Sequence, residues 1–428
     1  MDRGGTPESP AWRVIDLFSG AGGMSFGFHA HDRFTILGAV DAEIGKPSTG
    51  FGALDCNTTY EANIGLRPES ADLQVVDPAD IASRFYRRAG YDRIDVLTAC
   101  PPCTGFSRTI ATNHVRDDPR NSLVARCASF VRQFRPRVFI MENARELLTG
   151  KFRVHFDRLQ EQLDALGYDV EASTHVFTRF GLPQVRERAL VIAAERPLQP
   201  RTLDALWERH RVHPEATTVR RAIGHLPALS AGATASSDPA HTSTHSDGIT
   251  LRRLKATPRD GGSWVDWVRH EDAASLLIPA MKRSIQAGTL NHFCDVYGRM
   301  AWDRPAPTVK RECSHIGNGR YAHPEQDRLC SVREMAILQG FPSTFSFKGK
   351  SRKNMYRAIG DAVPPLISFQ LAHLAAWILS GERPDLSKAI LPNCHIIEND
   401  LVESTAPRDR QLRLFNAPTA YCSTAPPE

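Results

Sequence analysis

The sequence predicts an α/β protein in which a largely parallel, doubly wound sheet is joined to a smaller, irregular domain. Three observations carry that prediction. β-rich runs alternate with helical patterns over residues 13–193, and the first run ends in a glycine-rich loop, DLFSGAGG. Beyond residue 196 the rhythm fails, and small polar residues take over in PALSAGATASSDPAHTSTHSDG, 227–248. Strands that alternate with helices at this spacing build βαβ units, and such sheets bind ligands at the carboxyl ends of their strands.

The strand candidates are Arg13–Phe18, Thr35–Val40, Leu73–Val76, Ile94–Thr98, Arg137–Met141, Val170–Val176 and Ala189–Ala193. Helical patterns fall between them near 23–30, 57–63, 79–89, 120–134 and 153–166. A further one at 365–380, PLISFQLAHLAAWILS, is apolar enough to be a buried helix of the first domain. The expected division is a first domain of 12–195 plus 354–385, a second of 196–353, and a mobile C-terminal tail of 386–428.

At 428 residues, with 41% hydrophobic and 24% charged residues, the chain has room for two packed domains. It has no apolar run near the twenty residues a membrane span needs, and residues 1–12 lack the apolar core of a signal peptide, so the expected location is the cytoplasm. Nine scattered cysteines suit a reducing compartment. The net charge of +5 permits a nucleic-acid partner without requiring one.

The loop after the first strand contains Asp16, Phe18, Ser19, Gly20, Gly22 and Gly23. Glycines there let backbone approach a ligand closely. A dinucleotide fingerprint would need a third glycine where Ser25 stands, and no Gly-Lys-Ser/Thr follows to make a phosphate loop. Asp41, at the end of the second strand candidate, is placed to hold a ribose diol. A nucleoside-containing cofactor without a pyrophosphate fits, S-adenosylmethionine being the candidate; a tight structural turn is the competing reading.

LTACPPCTGFS, residues 97–107, places Cys100 and Cys103 two residues apart. Zinc would require a second such pair, and the histidine pairs His210/His213 and His241/His245 are isolated. A redox dithiol would belong to a smaller thioredoxin-like unit. The remaining reading is one nucleophile, Cys103, presented by a proline-stiffened loop, with Cys100 structural. Thiolate addition at C6 of cytosine would make C5 nucleophilic, and an acid must then serve N3. Glu142, in MENAREL, would reach the same sheet edge as Cys103; a helix-start carboxylate is its blander reading.

With these residues in this order, the chain resembles the DNA cytosine-5 methyltransferases of bacterial type, from Arg13 to about Gly381. The resemblance implies a Rossmann-like, S-adenosylmethionine-dependent catalytic domain and a target-recognition domain between the Gln-x-Arg-x-Arg pattern and RLCSVREMAILQGFP, 328–342. It implies that Phe18 stacks on adenine, Asp41 binds ribose and Asp80–Ile81 contacts the adenine edge. Cys103 would be the nucleophile with Pro102 shaping its loop, Glu142 would serve N3, and Asn143 would anchor the loop. In the pattern Gln184, Arg186, Arg188, Arg188 would bind cytosine O2, and Arg186 would serve the loop and phosphates. YRAIGDAVPPLIS would complete the cofactor pocket through Asp361, Ala362 and Val363.

Departures from the family pattern are Thr104 for Gln, Ala144 for Val, Asp361 for Asn, and an excess near GKPSTGFGALDC after Asp41. The implied partner is double-stranded DNA, met by a monomer, with a cognate restriction endonuclease as a further candidate and a nucleoid-associated location. The target cytosine would have to leave the duplex stack. Basic clusters at Arg220–Arg221, Arg252–Arg253 with Lys255, Lys282–Arg283 and Lys310–Arg311 would grip the DNA, with the PRDGGSW loop (258–264) as a candidate groove contact. An RNA cytosine-5 methyltransferase and a catalytically silent binding protein are the competing functions.

Overall fold

The computed structural model describes residues 11–44, 55–89, 93–103, 105–106, 117–289, 294–349 and 351–404. Thr104 and most of the segment after Asp41 (45–54) lie outside them. The chain divides into two compact units. The first combines Met1–Phe177, Glu187–Glu208 and Ala362–Asn393; the second combines Thr178–Arg186, Arg209–Asp361 and Cys394–Glu428. These borders differ from the expected ones at 195 and 354. The first unit keeps the chain through Glu208 because Trp207 is buried and donates to Gln370 Oε1 at 2.9 Å.

The first unit is built on six strands: β1 (Trp12–Leu17), β2 (Phe34–Val40), β3 (Val96–Ala99), β4 (Val138–Ala144), β5 (Tyr168–Val176) and β6 (Glu187–Glu195). Their order is β2-β1-β3-β4-β6-β5. The first four run parallel, while β6 is antiparallel to β4 and to β5. The chain leaves β1 for β2 on one side and returns to β3 on the other, so the gap beyond the ends of β1 and β3 is a topological switch point, where such folds place ligands. Helices α1 (Gly23–His29), α2 (Cys56–Ile64), α3 (Pro78–Ala89), α4 (Ser122–Phe134), α5 (Glu146–Thr149) and α6 (Val154–Ala165) connect the strands.

The core is aliphatic and aromatic, with Ile15, Leu97, Phe139 and Met141 from the sheet packed with Phe85, Phe130, Phe134 and Leu159 from the helices. The helix Pro365–Ser380 belongs to the same unit and lies against α1: a Cβ on Gly27 would meet Phe369 N at 2.2 Å. The helical stretch Arg352–Ser380 has the length and apolarity of a membrane span, yet 94% of its most apolar window is buried inside the protein.

Two expectations about local structure are corrected. Leu73–Val76 is not a strand. The Asp72 carboxylate accepts the Gln74 N–H at 2.8 Å and the Asp72 carbonyl accepts those of Val75 and Val76, which winds the segment into a turn with Val75 77% exposed. Further, β4 does not stop at Met141. It runs through Glu142 and Asn143 because β6 pairs along its whole length, Val138 opposite Ala194 and Ala144 opposite Arg188.

The second unit consists of short elements. Its helix Val332–Leu338, in the RLCSVREMAILQGFP segment, is buried on all sides and opens with a reciprocal Ser331–Glu334 capping box. Glu334 also takes a bidentate pair from Arg328, 2.7 Å at each oxygen, with both side chains essentially inaccessible. The expected tail from 386 is corrected as far as residue 404. Leu386, Ala389 and Leu391 are buried within the first unit, and in the second unit Leu401–Glu403 pairs antiparallel with His210–Val212. Residues 405–428 lie outside the described ones.

Candidate functional site

Because β1 to β4 are parallel, the residues following Leu17, Val40 and Ala99, and those at the end of β4, share one edge of the sheet. The glycine loop sits there. Phe18 holds φ +58°, in the left-handed region that few side chains adopt. Gly20 N–H donates to Asp41 Oδ2 at 2.9 Å, and Glu43 N–H to Asp41 Oδ1 at 2.7 Å. Asp41 thus braces the glycine loop through Oδ2 and its own turn through Oδ1, with lone pairs left for further donors.

Each glycine has its own reason. A Cβ on Gly22 would touch the Tyr60 ring at 3.0 Å, and one on Gly23 would lie 2.3 Å from Val363 O and 3.0 Å from the Ala362 Cβ. Ala362 and Val363 therefore reach the loop by packing. A Cβ on Gly20 would point into open space, where only its φ of +52° calls for glycine. Beside it, Ser19 Oγ is buried and has no hydrogen-bond partner among the described residues. Open space next to an unpaired buried hydroxyl, a braced carboxylate and the half-buried ring of Phe18 suits the nucleoside and amino-acid groups of S-adenosylmethionine.

Beneath the loop lies a hydrogen-bond chain. Tyr60 OH donates to Ser25 Oγ at 2.7 Å, Ser25 Oγ donates to Asp16 Oδ2 at 2.6 Å, and Thr98 Oγ1 donates to Asp16 Oδ1 at 2.6 Å. Burial, partly offset by those two hydroxyls, pushes the Asp16 carboxyl up to about 6. Asp16 is fully buried and so supports the loop from below. Of the pair Asp80–Ile81, Asp80 is exposed at the start of α3, whereas Ile81 is fully buried in the core, leaving only its backbone to meet a ligand.

The cysteine loop leaves β3 at the same edge. Cys100 N–H donates to Leu17 O at 3.2 Å. Burial pushes the Cys100 thiol well up, and the nearby Asp16 and Glu142 add to the rise, so this sulfur is a poor nucleophile. Pro102 and Cys103 are half-buried. Asn143, fully buried on β4, donates to Pro101 O at 3.1 Å and accepts the Ala144 N–H at 2.8 Å, pinning the loop from below. Glu142 and Arg188 are diagonal neighbours across the β4–β6 pair, since Ala144 faces Arg188 and Glu142 faces Leu190. Arg188 Nε lies 2.9 Å from Glu142 Oε1, but this charge contact is not aligned as a hydrogen bond, and Oε1 is buried without one.

The Gln-x-Arg-x-Arg residues do not act together. Gln184 is fully buried in the second unit, donating to Leu338 O and Gln339 Oε1 and accepting the Val309 N–H. Arg186 is also buried there and donates to Val309 O at 3.2 Å, a placement that suits bracing and not phosphate contact. The Asp361 carboxylate pairs with Arg311, a partner that any role at the cofactor would share.

Several basic clusters are likewise engaged. Arg220 pairs with Asp303 and Arg221 with Asp400, while Arg253 donates to Leu276 O. The carbonyls of Gly261 and Gly262 accept from the buried Arg320, which commits the PRDGGSW turn to structure. Sequence reasoning missed Thr98 and Tyr60, which matter only through partners distant in the chain.

The family profile of C-5 cytosine-specific DNA methylases matches residues 12–375. The chain is 31% identical over 372 residues to the type II methylase M.HgiDII of Herpetosiphon aurantiacus, covering 86% of this chain and 96% of that one. It is 32% identical over 377 residues to the type II methyltransferase M1.HphI of Haemophilus parahaemolyticus, covering 86% and 87%. Among solved structures, a DNA modification methyltransferase encoded within an E. coli prophage gives a TM-score of 0.58 at 21% identity, covering 87% of this chain and all of that one. Dnmt2 of S. pombe gives 0.51 at 16%, covering 86% and 98%. At those identities the structures demonstrate a shared fold.

Proposed function

The chain belongs to the family of C-5 cytosine-specific DNA methylases, and from that premise we propose that it methylates a flipped cytosine in a specific duplex sequence through covalent addition of Cys103. The single observation that carries this reading is the buried Glu142 Oε1, without a hydrogen bond and beside Arg188, at the sheet edge where Cys103 leaves β3.

Cys103 adds its thiolate to C6, forming the S–C6 bond, while Glu142 delivers a proton to N3 to absorb the electron pair. Arg188 balances the carboxylate charge that Glu142 acquires on giving up its proton, and offers its guanidinium to the base oxygen. When bound, S-adenosylmethionine supplies an electrophilic methyl group for C5. Loss of the C5 proton to solvent water then restores the ring double bond and expels the Cys103 thiolate, and the N3 proton returns to Glu142. Asp41, Ser19 and Phe18 would hold the methyl donor, and Asn143 would keep Pro101, and so the Cys103 loop, in register during attack.

The second unit would read the target sequence and grip the displaced strands, its intramolecular ion pairs limiting which arginines are free to do so. A base extruded from the stack costs a few kcal/mol, which only a second DNA-binding surface can offset. The reaction would take place wherever the cell holds its DNA, with a restriction endonuclease of the same specificity as a possible companion.

The test is transfer of labelled methyl from S-adenosylmethionine to duplex DNA, with tRNA in a parallel reaction. Cys103→Ser should lose transfer to DNA by at least about 1000-fold, because a hydroxyl is far less ionised than a thiol. A folded Cys103→Ser protein that turns over normally refutes the assignment, and preferential labelling of tRNA refutes the substrate.

A further inference from the structure

We propose that His155 is a positioning residue that locks the Cys103 turn on the side opposite Asn143. The inference rests on the reading of Cys103 as nucleophile. Phe106 N–H donates to Cys103 O at 3.1 Å, closing the turn that carries the thiol. Phe106 is buried and meets the His155 ring edge-on, centroids 6.1 Å apart at 84°. The same ring's Nε2 lies 2.8 Å from Asp117 Oδ2, so one side chain holds Phe106 and Asp117, residues eleven positions apart in the sequence.

Asp117 extends the lock. Its Oδ1 accepts from Asn121 Nδ2 at 2.7 Å, and Asn121 is fully buried. Asn121 in turn abuts Gly105: a Cβ there would lie 2.1 Å from Asn121 Oδ1 and 2.6 Å from the Asp118 Cβ. Gly105 and Phe106, directly after the nucleophile's turn begins, are therefore clamped between His155 and the Asp117–Asn121 pair. Asn143 on Pro101 O restrains the other side. A thiol flanked by restraints on both sides has little room to wander from the attacking position.

The histidine's polar contacts lie on one side of its ring. Its Nδ1 is buried with no hydrogen-bond partner among the described residues. Nε2 is thus the ring nitrogen engaged, 2.8 Å from Asp117 Oδ2. His155 stands at the start of α6 and reaches the Cys103 turn through Phe106, which makes it a support for the site.

The experiment measures covalent capture. Duplex DNA synthesised with 5-fluorocytosine in place of every cytosine is mixed with the protein and S-adenosylmethionine, and the rate of appearance of the protein–DNA adduct is followed. Fluorine at C5 blocks the final elimination, so the rate reports attack and methyl transfer alone. His155→Phe keeps ring packing against Phe106 but removes the donor, and Asp117→Ala removes its acceptor from a half-exposed position. Both should slow adduct formation about tenfold or more, since small misplacements of a reacting group carry losses of that order. Affinity for S-adenosylmethionine should stay within about twofold in both. His155→Gln, which retains a donor at similar reach, should recover most of the rate. If either folded variant captures DNA at the wild-type rate, the inference fails while the function stands. If the wild-type protein captures none, the reading of Cys103 falls and the inference with it. Should His155→Phe not fold, Asp117→Ala decides.

Discussion

Replacing Gly23 by alanine puts a methyl group where the chain after residue 361 already sits. The new Cβ would lie 2.3 Å from Val363 O and 3.0 Å from the Ala362 Cβ. A carbon–oxygen contact settles near about 3.3 Å, so the loop or the Ala362–Val363 backbone must move by about 1 Å. Both are backbone, with no flexible side chain to yield. Overpacking of this kind costs about 1–3 kcal/mol, which in a unit of this size lowers the melting temperature by about 2–10 °C. The displaced loop is the one that Asp41 braces, so binding of S-adenosylmethionine should weaken about tenfold as well.

Gly20→Ala is the control. Its Cβ meets nothing within 4 Å, and the backbone strain at φ +52° should cost only about 1 kcal/mol. That methyl group would project into the space assigned to the cofactor, so Gly20→Ala should lose affinity with little loss of stability. Thermal melts and calorimetric titration with S-adenosylmethionine separate the two. A Gly23→Ala protein that melts with the wild type and binds normally would refute the packing argument, and normal binding by Gly20→Ala would refute the placement of the ligand.

Two further outcomes follow from buried carboxylates. Asp16 is fully buried with its pKa raised from 3.8 to about 6, so the folded state binds more protons than the unfolded one between those values, and stability should fall as pH rises through that window, by about 3 kcal/mol in all. Asp16→Asn should flatten that slope in denaturant melts run from pH 4 to 7; an unchanged slope would mean that Asp16 ionises normally. Glu334 behaves oppositely. Although burial alone would raise it, the Arg328 pair outweighs burial and lowers its pKa below 4.5, so its stabilisation is present above that value and is lost as pH falls through the folded-state pKa. Glu334→Gln leaves Arg328 buried without its counter-charge and should cost about 3–5 kcal/mol in urea unfolding of the second unit; a loss below about 1 kcal/mol would show that the arginine finds another partner.

The residues that would perform chemistry were legible because they break the pattern around them. Cys103 follows two prolines at a strand end, Glu142 interrupts an apolar run, and the glycines cluster where a helix should begin. Strands and helices of the first unit were legible for the opposite reason, since local periodicity and burial agree there. Leu73–Val76 misled because its aliphatic residues matched a strand while Asp72, just before them, imposed a turn through hydrogen bonds that hydrophobic pattern does not register. The extension of β4 through Glu142 is set by β6, about fifty residues on, and no local signal marks it. Asp361 stood out by its place in a motif, but nothing near it in the chain announced its charge partner, Arg311, fifty residues upstream. Supporting residues are hidden most completely. Thr98 is an ordinary strand threonine until β3 lies beside β1 and its hydroxyl meets Asp16, and Tyr60 an ordinary helix tyrosine until α2 folds over Gly22. His155 has no partner within its own helix to announce it; Asp117 and Phe106 come to it from the far side of α4. Reactive groups must be chemically distinctive, whereas the groups that hold them need only the right place, and place is a property of the fold. A search for functional residues in a chain like this one therefore gains most from asking which ordinary side chains touch the distinctive ones.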